Sequence, residues 1–487
     1  MWTDVKIIDK KIPISDLGDD ELLVVIASDL DESSKEIFER AAYPNLTQQM
    51  SYLRVLSGFL EERGKKPFVY FSWESNERPL LEKRWLISRY FRRMCSVWNV
   101  SNLAIVLASQ STFQQDLAFA EDLYTMYRSS SPILPGDASV HAFNNAALWV
   151  TSELSKSQIT GLKHKLAYMD WVNENPDDLT SLEMGRRLKA FADDHSCSYE
   201  ELDEKRLAEE GLNLLLAVGQ ASQKSPSRLF ILSKNCDGAT APLMLVGKGI
   251  TFDTGGINVK PFESHVGAMK NDMGGAALMS QLFMALINAG YSKPLVLVVP
   301  ACENLVDANS MKPGTVVRSH HGEKVLIEHT DAEGRLILAD AISYAQKAYK
   351  PELTMVAATL TTAALRQYTN FITPCYFADK KMQARIEAAA QSVGERFLFW
   401  DEFLPFENAN RAKFGDLTNM GRMPGHASIG GGSNVAAHFL KRFADYPLVH
   451  FDIFASAWNW SGDYPGGTNG ATGAPFHSLF NALLDGK

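Results

Sequence analysis

Residues 242–256 read PLMLVGKGITFDTGG, and this stretch decides the fold. It begins with the apolar run Pro242–Val246 and continues into a polar segment that carries Lys248 and Asp253. A continuous apolar run of this length is typical of a strand that is covered on both faces. In α/β proteins, functional sites lie beyond the carboxyl ends of such strands. We therefore expect a buried sheet here, with chemically active side chains where the strand ends.

Other apolar runs on the C-terminal side predict further buried strands of the same sheet. They are Pro294–Pro300, Leu353–Leu360 and Leu448–Phe454, and the apolar segment Gly274–Ala289 is predicted to be a helix packed beside them. Strands and helices that alternate in this way indicate an α/β domain. The fold class predicted for this part is a mixed, mostly parallel sheet flanked by helices on both faces.

The chain is long enough for about two to three domains of roughly 150 residues each. We expect a smaller N-terminal α/β domain at residues 1–150, a linker helix at 151–170 and a larger catalytic domain at 171–487. The N-terminal part carries no catalytic motif. Its candidate strands are Leu22–Ala27, Pro67–Ser72 and Leu103–Ala108; its candidate helices are Ser51–Glu62 and Phe113–Tyr127, and further helices are expected at Ser181–Ala192 and Glu200–Glu210.

Composition narrows the class of protein. The formal net charge of -9 argues against a nucleic-acid surface, which needs basic patches. The five cysteines are widely spaced and form no CxxC pair, so a disulfide scaffold or a zinc knuckle is not expected and a reducing cytosol fits. No segment has the signal-peptide pattern or the ~18 consecutive apolar residues of a membrane span. We expect a soluble, cytoplasmic protein without a membrane partner.

Ionisable residues collect near the ends of the predicted strands. Asp272 precedes the apolar helix, and the segment Thr330–Leu336 places two carboxylates and an arginine within five positions. The full set is Lys248, Asp253, Lys260, Asp272, Asp331, Glu333 and Arg335.

Each of these residues has a plainer explanation when it is taken alone. Asp272 can be a helix N-cap, Asp331 and Glu333 can form a solvated turn, and Lys248 between two glycines can bind an anion. Taken together, four carboxylates in one cleft would repel one another, and a pair of metal ions removes that cost. Hard oxygen ligands with one amine favour zinc, manganese or magnesium.

The segments VGKGITFDTGG, MKNDMGGAA and TDAEGRLILADA resemble the cytosolic leucyl aminopeptidases, the M17 metallopeptidases. The resemblance covers roughly Asp170 to the C-terminus and includes VNENPDDLT, LLLAVGQAS and GATGAPF. The motifs are long, ordered and correctly spaced. Residues 1–150 match the family's variable, macro-like N-terminal domain in length only.

The resemblance implies a site with two divalent metal ions, Zn²⁺ or Mn²⁺, in each subunit. Lys248, Asp253, Asp272 and Glu333 would hold the tightly bound ion. Asp253, Asp331 and Glu333 would hold the more exchangeable one, so that Asp253 and Glu333 bridge the two.

Two further residues receive catalytic roles from the resemblance. Lys260 would polarise the scissile carbonyl, and Arg335 would position a bicarbonate ion that serves as general base. General chemistry is consistent with these roles. Two metal ions can generate a nucleophile from water at neutral pH, and a lysine can stabilise an oxyanion. The rigid, planar guanidinium of arginine matches a planar anion. The substrates would be short peptides with a free N-terminus, and the assembly would be a homohexamer.

The pocket for the first side chain of the substrate departs from the family pattern. Thr362 replaces a glycine and Phe454 replaces an alanine, and both add bulk, so the preference for leucine is left open. His329 stands where the family has Asn; it either donates a hydrogen bond to the loop or adds a titrating group beside the second metal. Gly421–Ser433 is predicted to be a long, mobile loop. The pocket residues are expected to be Met269, Thr359, Thr362, Phe454 and Ala457.

Two other classes of function compete with a metal-dependent aminopeptidase. A dinuclear phosphoesterase would be expected to use histidine-rich ligands, and none of the predicted ligands is a histidine. A hexameric scaffold or nucleic-acid-binding relative would be free to lose metal ligands, but none is changed here, and nucleic acid also fits poorly with the acidic charge.

Overall fold

The fold is taken from a computed structural model of the chain. It describes residues 21–26, 54–60, 66–72, 79–95, 102–107, 118, 122, 145–150, 155–236, 241–421, 432–460, 464–465 and 470–484. Side chains are described for residues 79–88, 118 and 122 and for the ranges from 155 onward. None of the helices in these ranges combines the length and the hydropathy that a membrane span requires.

The chain divides into two compact units. The first comprises Met1–Lys163, Ala388–Glu395 and Asn459–Thr472. The second comprises His164–Glu387, Arg396–Trp458 and Gly473–Lys487.

The first unit contains a five-stranded, mostly parallel sheet in the order β2-β3-β1-β4-β5. Strands β1, β3 and β4 confirm the three predicted apolar strands. Of the predicted helix at 113–127, the described residues 118 and 122 are helical. The elements are β1 (Glu21–Ile26), β2 (Arg54–Leu60), β3 (Lys66–Ser72), α1 (Leu80–Cys95), β4 (Asn102–Leu107) and β5 (Asn145–Val150).

The predicted helix at Ser51–Glu62 is wrong, because β2 lies there. Arg54–Leu60 pairs with β3 in an antiparallel register that runs from Arg54↔Ser72 to Leu60↔Lys66. The segment contains Gly58 and the β-branched Val55, which weaken a helix. Hydrogen bonding to a neighbouring strand therefore prevails over the amphipathic pattern.

The second unit is built on a nine-stranded mixed sheet and a small three-stranded sheet. The large sheet has the order β15-β14-β17-β13-β8-β10-β7-β6, with β9 also paired to β10, and the small one has the order β11-β12-β16. The strands are β6 (Ser198–Leu202), β7 (Arg228–Lys234), β8 (Leu243–Gly247), β9 (Gly249–Asp253), β10 (Leu295–Asn304), β11 (Val316–Arg318), β12 (Lys324–Leu326), β13 (Leu353–Ala358), β14 (Thr373–Tyr376), β15 (Phe397–Trp400), β16 (Leu417–Thr418) and β17 (Leu448–Asp452).

The remaining helices lie in sequence between and after these strands. They are α2 (Lys156–Asn173), α3 (Ser181–His195), α4 (Glu204–Glu209), α5 (Asn213–Gly219), α6 (Gly274–Asn288), α7 (Gly334–Tyr349), α8 (Thr362–Tyr368), α9 (Lys380–Val393), α10 (Leu404–Asn408), α11 (Gly432–Arg442) and α12 (Phe476–Leu484), and two 3₁₀ helices span Phe262–Ser264 and Val266–Met273.

The buried apolar runs confirm the predicted core strands, and α3 and α6 confirm two predicted helices. The predicted helix at Glu200–Glu210 is only partly right. Ser198–Leu202 is a strand paired antiparallel to β7, and the helix begins at Glu204. Asp203 causes the change, because its side chain accepts a hydrogen bond from the amide of Arg206 and so caps the helix.

The large sheet brings several strand ends to one edge. Strands β17, β13, β8 and β10 are mutually parallel in that order, so their carboxyl ends lie together. Helix α6 packs closely against them: a Cβ atom added at Gly275 would lie 2.1 Å from the carbonyl oxygen of Ala357. The amide of Ala276 donates to the carbonyl of Lys248 at 2.8 Å. Glycine at this helix start is what allows the backbones to touch.

Candidate active site

Lys248 follows β8 directly and is fully enclosed by the strand ends. Its Nζ lies 2.7 Å from the carboxylate of Asp272 and 2.9 Å from Oε1 of Glu333. It also donates to the carbonyl of Thr359 at 2.9 Å. Burial by itself would lower the pKa of Lys248, but the charges of Asp272 and Glu333 outweigh it and hold the pKa above its ordinary value. The lysine therefore lies within a pocket of negative charge.

Lys260 lies across the site, in the segment after β9. Its Nζ is 2.8 Å from Oδ2 of Asp253 and also contacts Oδ1 of Asp331. Ligand atoms of Asp253, Asp331 and Glu333 all lie within 4.8 Å of one another. This three-carboxylate cluster and the Lys248–Asp272 pair share Glu333, so the two groups form one continuous site.

Three of the four carboxyl groups have raised pKa values, whereas the charges of Lys248 and Lys260 lower the pKa of Glu333 despite its burial. Burial, followed by the charge of Glu333, raises the pKa of Asp253, and burial also raises that of Asp272. Burial and then Asp253 raise the pKa of Asp331 to about 7. The Oε2 atom of Glu333 is buried without a hydrogen-bond partner. Buried carboxylates with too little compensating charge, and one free oxygen, fit a site for hard divalent cations.

Glycine explains how the ligands come so close. A Cβ atom added at Gly334 would lie 2.5 Å from Cε of Lys248, so a side chain there would displace the lysine. Gly255 has φ +90, and its Cβ would lie 2.9 Å from Oδ1 of Asp331. The glycines that flank Asp253 and Glu333 in sequence therefore leave room for the side chains of the cluster.

Sequence reasoning missed the amides that hold this cluster in place. Asn304, at the end of β10, donates from Nδ2 to Oδ1 of Asp253 at 2.8 Å and to the carbonyl of Thr330 at 3.1 Å. Asn258 accepts from the amide of Thr330 at 2.9 Å, and Thr330 Oγ1 donates to the carbonyl of Gly255 at 2.6 Å. A polar residue at the carboxyl end of a buried strand was the signal that could have identified Asn304.

Arg335 is a buried cation, at 6% relative exposure. Its Nε has no hydrogen-bond partner, and no carboxylate in the described part of the chain lies within ion-pair distance of its guanidinium. Burial lowers the pKa of Arg335 to about 10, although the more distant charge of Glu333 opposes the shift. A buried guanidinium without an anionic partner is suited to hold an anion.

The predicted pocket residues differ in their exposure to solvent. Met269, Thr359, Phe454 and Ala457 are buried, whereas Thr362 is exposed at the first residue of α8. Thr359 donates from Oγ1 to Oδ1 of Asp272 at 3.0 Å. The side chains of Thr359 and Ala457 both lie beside Gly274. A Cβ atom added at Gly274 would be 3.1 Å from the side chain of Thr359 and 3.9 Å from that of Ala457.

Asp452 binds the backbone near both residues that add bulk relative to the family pattern, Thr362 and Phe454. Asp452, at the end of β17, accepts at Oδ1 from the amides of Thr361 and Phe454, each at 3.3 Å. The backbone before Thr362 and that of Phe454 therefore converge on one buried carboxylate.

The structure corrects two of the plainer explanations. Asp272 is not a helix N-cap, because it lies within the 3₁₀ helix Val266–Met273 and α6 begins after Met273 without a side-chain cap. Glu333 is not in a solvated turn, since it is 2% exposed. In the loop, Nδ1 of His329 accepts a hydrogen bond from the amide of Asp331 at 3.2 Å. Most of the predicted loop at Gly421–Ser433 lies outside the described residues.

Residues 167–480 match the catalytic domain of the cytosol aminopeptidase family. The chain belongs to this family. It is 33% identical over 382 residues to a probable cytosol aminopeptidase of Hydrogenovibrio crunogenus, covering 77% of this chain and 74% of the relative. It is 35% identical over 308 residues to one of Chromobacterium violaceum, covering 62% and 56%. The predicted M17 membership is thus confirmed, and the chain is a metalloaminopeptidase.

The fold agrees with a solved structure. The bottromycin maturation enzyme BotP, in complex with Mn, matches with a TM-score of 0.75 and 24% identity over 96% of this chain and 99% of that one. This similarity confirms the α/β architecture of this cytosol aminopeptidase family member, with its large mixed sheet flanked by helices.

Proposed function

We propose that this metalloaminopeptidase removes the N-terminal residue from short peptides and uses two divalent metal ions to do so. The observation that supports two ions is the continuity of the site. Three carboxylates converge within 4.8 Å, and one of them, Glu333, also contacts Lys248 beside Asp272. A single ion would leave part of this buried negative charge without compensation.

The ligand sets follow from these contacts and from the family motifs. One ion would be held by Lys248, Asp253, Asp272 and Glu333, and the other by Asp253, Asp331 and Glu333. A lysine binds a metal only as the neutral amine, and an adjacent dication favours loss of its proton. Zn²⁺ and Mn²⁺ both suit this donor set. Such a pair supplies, when bound, a water of lowered pKa and a contact for the free amine of the substrate.

Lys260 is proposed as the electrophile. Burial acts to lower the pKa of Lys260, but the charges of Asp253 and Asp331 outweigh it and hold the pKa above its ordinary value. A fixed ammonium aimed at the scissile carbonyl stabilises the negative charge that grows on its oxygen. A donor of this kind is commonly worth ~3 kcal/mol in the transition state.

Arg335 is proposed to hold a bicarbonate ion. The support is its burial with no anionic partner among the described residues, together with the planar fork that matches two oxygens of such an ion. Held by Arg335, a bicarbonate ion would supply a general base at the site.

The substrate, assembly and location complete the proposal. A free N-terminal amine would be required, and the residues Met269, Thr359, Thr362, Phe454 and Ala457 would select the first side chain. We further propose a homohexamer in the cytosol, with catalysis in residues 171–487 and residues 1–150 as a separate N-terminal domain joined by the helix at 151–170. The relatives named cytosol aminopeptidase support the location.

The deciding experiment is release of amino acids from a panel of X-Gly dipeptides by protein loaded with Mn²⁺ or Zn²⁺. We expect cleavage that EDTA abolishes and that N-acetylation of the substrate blocks. Cleavage of the acetylated peptides would rule out the exopeptidase mechanism. If calorimetry shows two bound ions and no dipeptide is cleaved, the scaffold alternative gains support.

A phosphatase assay on the same metal-loaded preparation tests the phosphoesterase alternative. We expect no phosphate release from a simple aryl phosphate, since no histidine is among the proposed ligands.

A further inference from the structure

Asn419 lies directly after β16 and is completely buried. Its backbone amide donates to the carbonyl of Leu326 at 3.1 Å, and β16 pairs in parallel with β12 through Leu326↔Thr418. The small three-stranded sheet therefore holds Asn419 firmly beside the segment that follows β12. That segment, residues 328–333, carries Asp331 and Glu333.

The side chain of Asn419 makes four hydrogen bonds to this one segment. Its Oδ1 accepts from the amides of Glu328 at 2.9 Å and His329 at 3.3 Å. Its Nδ2 donates to the carbonyl of His329 at 2.7 Å and to that of Ala332 at 3.2 Å. Both donors and both acceptor positions of the amide are thus used on the backbone that surrounds Asp331.

Only a primary amide of this length matches the pattern. Aspartate would lose both donors and place negative charge against two carbonyl oxygens. Leucine would remove all four hydrogen bonds, and of the four backbone groups the carbonyl of His329 would keep a partner, the amide of Ala332 at 3.2 Å. The bonds span the backbone from Glu328 to Ala332, so they determine where the side chain of Asp331 is presented. Residues around a metal site that orient its ligands commonly alter metal affinity 10–100-fold.

We propose that Asn419 is a positioning residue that sets the affinity of the exchangeable metal ion, the one that Asp331 helps to hold. The inference rests on the proposed function, because it assumes the two-ion site. Asn419 makes no hydrogen bond to a proposed ligand side chain and acts through the backbone of residues 328–332. The ion beside Lys248 and Asp272 shares Glu333 with this segment, but its other proposed ligands lie on strand and helix ends to which Asn419 does not hydrogen-bond.

The test is Mn²⁺ titration calorimetry on Asn419→Leu, with Asn410→Leu as the matched control. Asn410 is also buried and donates to backbone carbonyls, those of Val435 at 2.9 Å and Phe406 at 3.3 Å, but it does not bond to residues 328–333. We expect affinity at the exchangeable site to fall roughly 10–100-fold in Asn419→Leu and to stay near wild type in Asn410→Leu. In Asn419→Leu the tight site, which shares only Glu333 with this segment, should weaken less than the exchangeable site, and in Asn410→Leu it should stay near wild type.

Two outcomes would overturn the inference. Equal weakening of both sites by the two leucine variants would show a general loss of stability, and unchanged binding in Asn419→Leu would show that the amide is not needed. If wild-type protein binds no pair of ions, the proposed function fails as well. If it binds two and Asn419→Leu binds them equally well, only this inference fails.

Asn419→Asp keeps the test decisive if the leucine variant does not fold. It retains the acceptor for the amides of Glu328 and His329 but loses both donors. Its added negative charge would by itself attract a divalent cation. We expect weaker binding at the exchangeable site in spite of that charge, and equal or tighter binding would contradict the inference.

Discussion

The ammonium of Lys260 lies 2.8 Å from Oδ2 of Asp253, so the proposed electrophile is ion-paired with a proposed metal ligand. The same ammonium contacts Asp331. Lys260 thus supplies positive charge to two carboxylates of the cluster and, in its proposed role, to a substrate oxygen. Its loss is therefore expected to affect catalysis and metal binding in different ways.

Replacing Lys260 by methionine is expected to lower kcat by about 10²–10³ through lost transition-state stabilisation. Two metal ions should remain bound, since the carboxylates of Asp253 and Asp331 lose a competing cation and keep their negative charge. Steady-state kinetics and metal analysis measure the two effects. Lys270→Met is the control. Lys270 donates to the carbonyl of Asn173 at 2.6 Å rather than to the carboxylate cluster, so its replacement should leave kcat nearly unchanged. Near-full activity of the Lys260 variant with both ions present would contradict the role.

Asp331→Asn is expected to reduce the metal content from two ions to one and kcat/KM by at least about 100-fold, because the second ion loses a charged ligand. Equilibrium dialysis against Mn²⁺ followed by metal analysis measures this. Glu328→Gln is the control, since Glu328 lies on the same segment outside the carboxylate cluster. Retention of two tightly bound ions by Asp331→Asn would show that the second site is built from other residues.

Phe454→Ala and Thr362→Gly are expected to shift the preference among X-Gly dipeptides towards larger first residues. Space for one or more methylene groups changes kcat/KM about tenfold or more. The measured quantity is the ratio of kcat/KM for Trp-Gly to that for Ala-Gly, which does not depend on how much protein is folded. An unchanged ranking in both variants would remove these residues from the pocket.

Because of the buried side chain of His450, we expect the free energy of unfolding to fall in acid. Burial lowers the pKa of His450 to about 4, although the charge of Asp452 opposes the shift, while an unfolded histidine titrates near 6.5. Between those values the unfolded chain binds more protons, so stability falls as the pH drops through this window, by up to about 3 kcal/mol.

His450→Gln removes this titration and provides the comparison. The difference in unfolding free energy between wild type and variant should change by up to about 3 kcal/mol from pH 7 to pH 4, to the disadvantage of wild type. Denaturant unfolding of metal-free protein at each pH measures it. Parallel pH curves for the two proteins would show that His450 becomes protonated in the folded state.

Much of the catalytic domain was determined by the sequence alone. The apolar runs at Leu295–Asn304 and Leu448–Asp452 are buried along their whole length, and burial on both faces leaves a signal that needs no knowledge of partners. The proposed ligand residues could also be predicted, because their motifs keep glycine where side chains must pass closely, as at Gly334. Local spacing carried this information.

Only the tertiary structure decided which distant groups support those ligands. Asn419 and Asn304 reach the site from other parts of the chain, since Asn419 bonds to residues about 90 positions away. A single asparagine has no periodicity that distinguishes a positioning role from a turn. The strand at Arg54–Leu60 is similar, because pairing with β3 rather than local preference determines it. These features depend on contacts between segments that are distant in sequence. No local sequence pattern contains that information.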